Sequence, residues 1–346
     1  MKLIEIFQNK INPETCYIIG EIGLNHNGSL DIGKKLIDVC AIAGADAVKF
    51  QKRTVEDLAV KSVLDAQDSR FPEFGKTYGE IRNHLEFDFT AYRELKEYAE
   101  QKGLEFLCTS FDKDAVIFLE RLGVRYYKLA SHSLTNIPLL NSVAKTGKPT
   151  ILSTGMCELD EIDDAVAIFK HAGTPLVLLH CVSAYPTPLE ECNLSMISFL
   201  KERYGVPVGY SGHEIGLLPT LASVAMGAEC IERHITLDHT MIGFDHRISL
   251  EPCELITLVR EVKGILAARG KPIKQVSPTE NITRQKYHVS AVSACKIPIG
   301  TFISEDMIVY KNPGTGIAPR NIATILGKRA RKDIPEDIIL EMSWFE

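Results

Sequence analysis

Residues 105–131 read EFLCTSFDKDAVIFLERLGVRYYKLAS: two short apolar runs, Glu105 to Ser110 and Tyr126 to Ser131, on either side of one amphipathic segment. Each run is too continuous for a strand with one face in water and reads as a strand buried on both faces. Between them, apolar residues recur at i, i+3 and i+4, the spacing of one helix face. The stretch is therefore a strand, a crossover helix and a parallel strand. Outward from it the unit repeats, with further runs at Tyr17 to Glu21, Ala47 to Gln51, Thr150 to Thr154, Leu176 to Cys181, Pro207 to Ser211 and Cys230 to Thr236. Eight such units match the usual length of a closed (β/α)8 TIM barrel, about 250 residues. The helical pattern Glu254 to Ala268 closes the last unit, so the barrel is expected over residues 1–268.

Barrel enzymes carry their chemistry at the carboxyl ends of the strands. Here those ends hold Glu21, Asn25, Lys49, Gln51, Thr109, Ser110, Lys128, Ser131, Ser153, His180, Ser183, Ser211, His213, Glu232 and His234. Three groupings stand out. GEIGLNHNG, residues 20–28, can turn tightly because Gly and Asn tolerate positive φ, with Glu21 and Asn25 expected to face the axis. His213 in GYSGHE follows the seventh run and His234 in IERHIT lies within the eighth, neighbouring strands, so their imidazoles can converge on one cation. With Glu21 and Glu232 close by, oxygen donors favour Mn²⁺ or Mg²⁺ over a closed, sulfur-rich zinc site. Lys49 and Lys128 end apolar strands among the hydroxyls, and buried ammonium groups need a counter-anion. A phosphate-plus-carboxylate ligand would serve. Lys128 could instead pair with a rim acid such as Glu232, or form a Schiff base.

The chain has 346 residues, with 39 Lys and Arg against 45 Asp and Glu, a formal net charge of −6. That balance gives no global attraction for nucleic acid or an anionic membrane. The N-terminal MKLIEIFQNKINPE lacks the apolar core of a signal peptide and no run of about 18 apolar residues exists, so a cytoplasmic location is expected. Nine dispersed cysteines with no CxxC pair read as small buried hydrophobes. Residues 269–284, RGKPIKQVSPTENITR, have linker composition. Beyond them, residues 285–346 read as a small β-rich unit with runs at Val289 to Val292, Ile308 to Tyr310 and Ile338 to Met342 and a helical stretch near Asn321 to Leu326. A unit that small needs a partner surface.

EIGLNHNG, KFQ, KLAS, LSTGM, HCVSAYPTP, GYSGHE, ERHITLD, GFDHRISLEP and NPGTGI together resemble the sialic acid synthase family, which includes legionaminate and pseudaminate synthases. The resemblance spans essentially the whole chain, and FGKTYGEIRNHLEF looks closest to the N-acetylneuraminate branch. It implies a manganese-dependent condensation of phosphoenolpyruvate with the open-chain aldehyde of an N-acyl hexosamine, releasing phosphate. It also implies an antifreeze-like (SAF) C-terminal domain that covers the partner's barrel mouth in a domain-swapped homodimer. By motif, His213 and His234 would bind metal, and Lys128 and Thr109 the phosphoenolpyruvate carboxylate. Ser131, Ser153, Ser183 and Ser211 would surround its phosphate, while Glu21, Lys49, Gln51, Tyr185 and Asp245 would face the sugar. Two positions depart from the family: Asn312 stands where an arginine usually precedes Pro-Gly, leaving Lys311 or Arg320 to reach the acyl group, and Ser183 stands where several members have asparagine. Other readings left by the residues are a heptulosonate-type synthase, a Schiff-base aldolase, and a non-enzymatic sugar- or ice-binding protein.

Overall fold

The computed structural model describes Ile11 and residues 14–346. The rest of the N-terminal stretch read for targeting lies outside the described residues. Eight parallel strands close into a barrel in sequence order: β1 (Tyr17–Gly23), β2 (Ala47–Lys52), β3 (Glu105–Ser110), β4 (Tyr127–Leu129), β5 (Thr150–Ser153), β6 (Leu176–Cys181), β7 (Val208–Gly212) and β8 (Cys230–His234). The helix Lys113–Leu122 shows why the opening stretch folds as it does. Asp112 caps it by accepting from the amide of Ala115 at 2.6 Å, and Gly123 ends it at φ 74°. Its apolar stripe, Ala115, Val116, Leu119 and Leu122, is buried against the barrel.

Alternation along the strands then sorts the side chains. In β3, Phe106 and Cys108 join the core between strands and helices, whereas Leu107 packs inside the barrel with Tyr17, Ile19, Tyr126, Ile151, Val177 and Leu179. This inner apolar layer plugs the lower barrel, so the inward residues nearer the carboxyl ends form a floor. Register fixes their neighbours: Glu21 sits opposite Lys49 and His234, Thr109 opposite Gln51 and Lys128, and Ser211 opposite Glu232 and Cys181.

The chain divides into two compact units after Gly270. The second has its own core of Ala291, Ile297, Ile303, Ile308, Ile317, Ile325, Ala330, Ile334, Leu340 and Phe345. Its antiparallel pair is β9 (Ser290–Ser293) and β10 (Ile308–Lys311). Two expectations differ here, and a third is met with shifted bounds. The run Ile338 to Met342 forms only an isolated bridge, Ile339 to Val292, whereas the expected helical stretch is present as a 3-10 helix, Pro319–Thr324. The supposed linker contains a helix, Pro278–Tyr287, started by Ser277, whose side chain accepts from the amide of Glu280. The helix buries none of its side chains, so no apolar stripe announces it. All nine cysteines are free; Cys253 and Cys295 are exposed, not buried. No helix among the described residues is long and apolar enough to cross a membrane.

Candidate active site

The carboxyl rim of the barrel encloses a cleft of about 250 Å³. At its floor lie two lysines and two carboxylates, all 1% to 5% exposed. Lys49 Nζ is 3.2 Å from Glu21 Oε2 and 3.3 Å from Glu232 Oε2, and it donates to Thr109 Oγ1 at 3.1 Å. Lys128 Nζ donates to Ser153 Oγ at 2.8 Å and lies 3.6 Å from Glu232 Oε1. Ser211 donates to the same Glu232 oxygen at 3.1 Å, and Gln51 to Glu21 Oε1 at 2.6 Å. The alternative partner for Lys128, Glu232, is therefore the one present.

The two acids divide their roles electrostatically. Burial, reinforced by the Glu232 charge, pushes the Glu21 carboxyl up to about 7 against the pull of Lys49 and Gln51. Burial pushes Glu232 up too, but Lys128 and Lys49 more than offset it and hold the group at about 2. Burial pulls both lysines down; Glu21 and Glu232 reverse this for Lys49, whereas Lys128 stays below its ordinary value. Glu232 is thus the fixed negative charge and Glu21 the group that changes protonation near neutrality.

Across the cleft, the His213 and His234 rings are 5.5 Å apart and Tyr185 packs 4.2 Å from His213. His213 Nδ1 lies 3.0 Å from the Val182 carbonyl, a donor's distance that leaves Nε2 as the ring's lone pair. Burial and the neighbouring His213 hold His234 well below the usual imidazole value, so it is neutral. Its Nδ1 is buried without a hydrogen-bond partner, 3.6 Å from Asp245 Oδ2. Glu21 and Glu232 face the lysines instead, and no group of three or more His, Cys, Asp or Glu set to hold a metal exists among the described residues.

β1 places Glu21 by its register, and the chain turns just beyond it with positive φ at Gly23 (56°), Asn27 (52°) and Gly28 (73°). A Cβ at Gly23 would also meet Glu21 Oε1 at 3.2 Å. Ser131, Ser183 and Asp245 line the cleft with the residues above.

Three expected positions lie elsewhere. Asn25 turns away and donates to the Ile235 carbonyl and Ser249 Oγ, both at 2.8 Å, tying this loop to the end of β8. Ser110 and His180 fall on the outward side of their strands, since they neighbour the inward Thr109 and Cys181; His180 Nε2 contacts the Cys192 carbonyl at 2.8 Å. Asn312, expected to act on a partner's barrel, is an exposed residue of the second unit. Sequence reasoning missed Arg53, Arg82, Phe111, His132, Met156, Cys181 and Phe244, which also line the cleft.

Paired carboxylates, buried lysines, hydroxyls and two imidazoles at the carboxyl rim of a closed eight-stranded parallel barrel place the chain among the TIM-barrel enzymes. Residues 36–274 match the NeuB family and residues 288–343 the SAF domain, and the chain belongs to the NeuB family. It is 41% identical to the human N-acetylneuraminate-9-phosphate synthase over 93% of this chain and 90% of that protein. It is 38% identical to the N,N'-diacetyllegionaminic acid synthase of Campylobacter jejuni over 93% of this chain and 98% of that one. Among solved structures, the N-acetylneuraminic acid synthetase of Leptospira borgpetersenii superposes with a TM-score of 0.69 at 37% identity, over 79% of this chain and 91% of that one.

Proposed function

We propose that this chain condenses phosphoenolpyruvate with the open-chain aldehyde of an N-acyl hexosamine, giving a nonulosonic acid and phosphate. The observation that carries the reading is the pair of buried ammonium groups, Lys49 and Lys128, among inward hydroxyls on one side of a cleft whose other side presents two imidazoles. Lys128, Thr109 and the serines Ser131, Ser153, Ser183 and Ser211 hold the carboxylate and phosphate of phosphoenolpyruvate, while Gln51, Tyr185 and Asp245 contact the sugar. Holding both substrates there converts a bimolecular encounter into a positioned one. The enol carbon attacks the aldehyde carbon and forms the C–C bond. Water adds to the neighbouring carbon, where positive charge has developed, and the tetrahedral intermediate expels phosphate. Glu21, with its carboxyl at about 7, moves a proton in one of these steps.

The orphaned His234 Nδ1 and the Nε2 of His213 are nitrogen donors that would hold a divalent cation, Mn²⁺ or Mg²⁺. Held by His213 and His234, such an ion would supply Lewis-acid polarisation of the aldehyde. We also propose a cytoplasmic, domain-swapped homodimer whose SAF domain serves the partner's barrel, which light scattering checks as a dimer mass.

The test is phosphate release from phosphoenolpyruvate with Mn²⁺ across N-acetylmannosamine, its 6-phosphate and a diacetamido-trideoxyhexose. Product mass should equal acceptor plus pyruvate. No release with any acceptor would overturn the reading. One observation favours a second reading, a Schiff-base aldolase: burial lowers the pKa of Lys128, as imine-forming lysines require. Borohydride trapping that labels Lys128 would establish it.

A further inference from the structure

The cleft carries a second group of cations that the condensation does not use. Arg53 lies just past the end of β2, and Arg82 comes from the helix Tyr78–His84 between β2 and β3. Both line the cleft beside Phe111, His132 and Phe244. Arg53 is matched: Nη1 donates to Glu86 Oε1 at 3.1 Å, Nη2 donates to Gln51 Oε1, and the guanidinium sits over Phe111 at 4.4 Å. Arg82 is not. Its Nε is buried without a hydrogen-bond partner, and among the described residues no carboxylate forms an ion pair with it, although the Asp245 charge favours it. Aromatic faces hold it instead, Phe244 at 4.5 Å and Tyr78 at 5.0 Å, with a hydrogen bond to Tyr78.

The arrangement is costly without an anion. Burial and the Arg53 charge both work against the Arg82 cation, and after burial the two arginines further depress His132. A guanidinium does not shed its proton in proteins, and Tyr78 and Asp245 offset only part of this cost, which leaves the buried Nε free to meet an anionic ligand. Position says which end of which ligand. Lys49 and Lys128 sit within β2 and β4, whereas the arginines come from beyond the strand ends. From the imidazole pair, Asp245 lies 3.6 Å from His234, and its chain neighbour Phe244 carries Arg82. A sugar whose aldehyde is at the histidines and whose hydroxyl meets Asp245 brings its far end to Arg82.

We infer that Arg82, supported by Arg53, is a subsite for a phosphate monoester on the far end of the acceptor, which makes the acceptor an N-acyl hexosamine 6-phosphate. The inference rests on the condensation proposed above. Phosphoenolpyruvate is also a phosphate monoester, so the test separates the two sources. Initial rates are measured for wild type, Arg82→Gln and Arg82→Lys with N-acetylmannosamine and with its 6-phosphate. Wild type should have the higher kcat/KM for the 6-phosphate. Arg82→Gln should lose roughly 10- to 100-fold of it through the acceptor KM, the worth of a charge-assisted hydrogen bond. Lysine should restore part, and the KM for phosphoenolpyruvate should stay within about two-fold. Wild type preferring the unphosphorylated sugar, or Arg82→Gln raising the phosphoenolpyruvate KM instead, would overturn the subsite. If neither sugar is turned over, the condensation reading fails, and thermal shift then decides the subsite alone. Stabilisation by the 6-phosphate but not the free sugar, lost in Arg82→Gln, supports it; no stabilisation overturns it.

Discussion

Arg233 donates from Nη1 to Glu214 Oε1 at 3.0 Å in the wall behind the cleft, each residue one step along the chain from a candidate metal ligand, His234 and His213. Both are 1% exposed or less. Arg233 also donates to the Glu214 and Gly216 carbonyls and to Thr220 Oγ1, and Tyr210 donates its hydroxyl to Glu214 Oε2 at 3.0 Å. The outward residue of β8 thereby ties down the loop that carries His213. Removing one partner leaves a buried charge uncompensated, so Arg233→Met should cost about 3–5 kcal/mol in urea unfolding. Arg233→Met with Glu214→Gln should recover part of that loss, and additive losses would contradict the coupling.

Glu21 gives stability a defined pH dependence. Its carboxyl is raised from 4.5 to about 7, so the native state holds a proton that the unfolded chain has released. Its contribution is present below pH 4.5 and is lost as pH rises to 7. Glu232, held at about 2, acts oppositely, stabilising above 4.5 and losing that as pH falls toward 2. Glu21→Gln should therefore gain on wild type by on the order of 1 to 3 kcal/mol between pH 5 and 8. A difference that stays flat with pH would show that Glu21 titrates normally.

Strand alternation made half of the site legible. Thr109, Lys128, Glu232 and His234 each follow from a strand with an inward face, and two-residue spacing puts Glu232 beneath His234. The same rule excludes Ser110 and His180, because an inward Thr109 or Cys181 sends its neighbour outward. Asn25 and Arg82 had no such signal. Each sits off the strands, where backbone turns and a short inserted helix set direction without any period. The helix at 278–287 was hidden for a related reason: with no buried face, only its Ser277 cap and Pro278 mark it.

Metal removal should abolish turnover of phosphoenolpyruvate, with Mn²⁺ restoring it. His213→Ala and His234→Ala should each lose more than about 100-fold in kcat, since Lewis-acid stabilisation is worth several kcal/mol. Their far-ultraviolet circular dichroism should match wild type, because both rings face the cleft rather than the apolar core. Full activity in chelator would remove the metal from the mechanism.

Asn312 offers a test of the dimer. It lies in the loop after β10, exposed within the second unit, at the position where the family resemblance leads one to expect an arginine. If the SAF domain serves the partner's barrel, restoring that charge adds a guanidinium beside the sugar's acyl group. Asn312→Arg should then change the acceptor KM about 10-fold, the lower end of a charge-assisted hydrogen bond, and leave the KM for phosphoenolpyruvate unchanged. The direction reports on the acceptor: a lower KM marks an acyl group that accepts the new hydrogen bond, and a higher one marks a group that asparagine already serves. A monomeric protein with unaltered constants for every sugar would leave Asn312 a turn residue and the swapped arrangement without support.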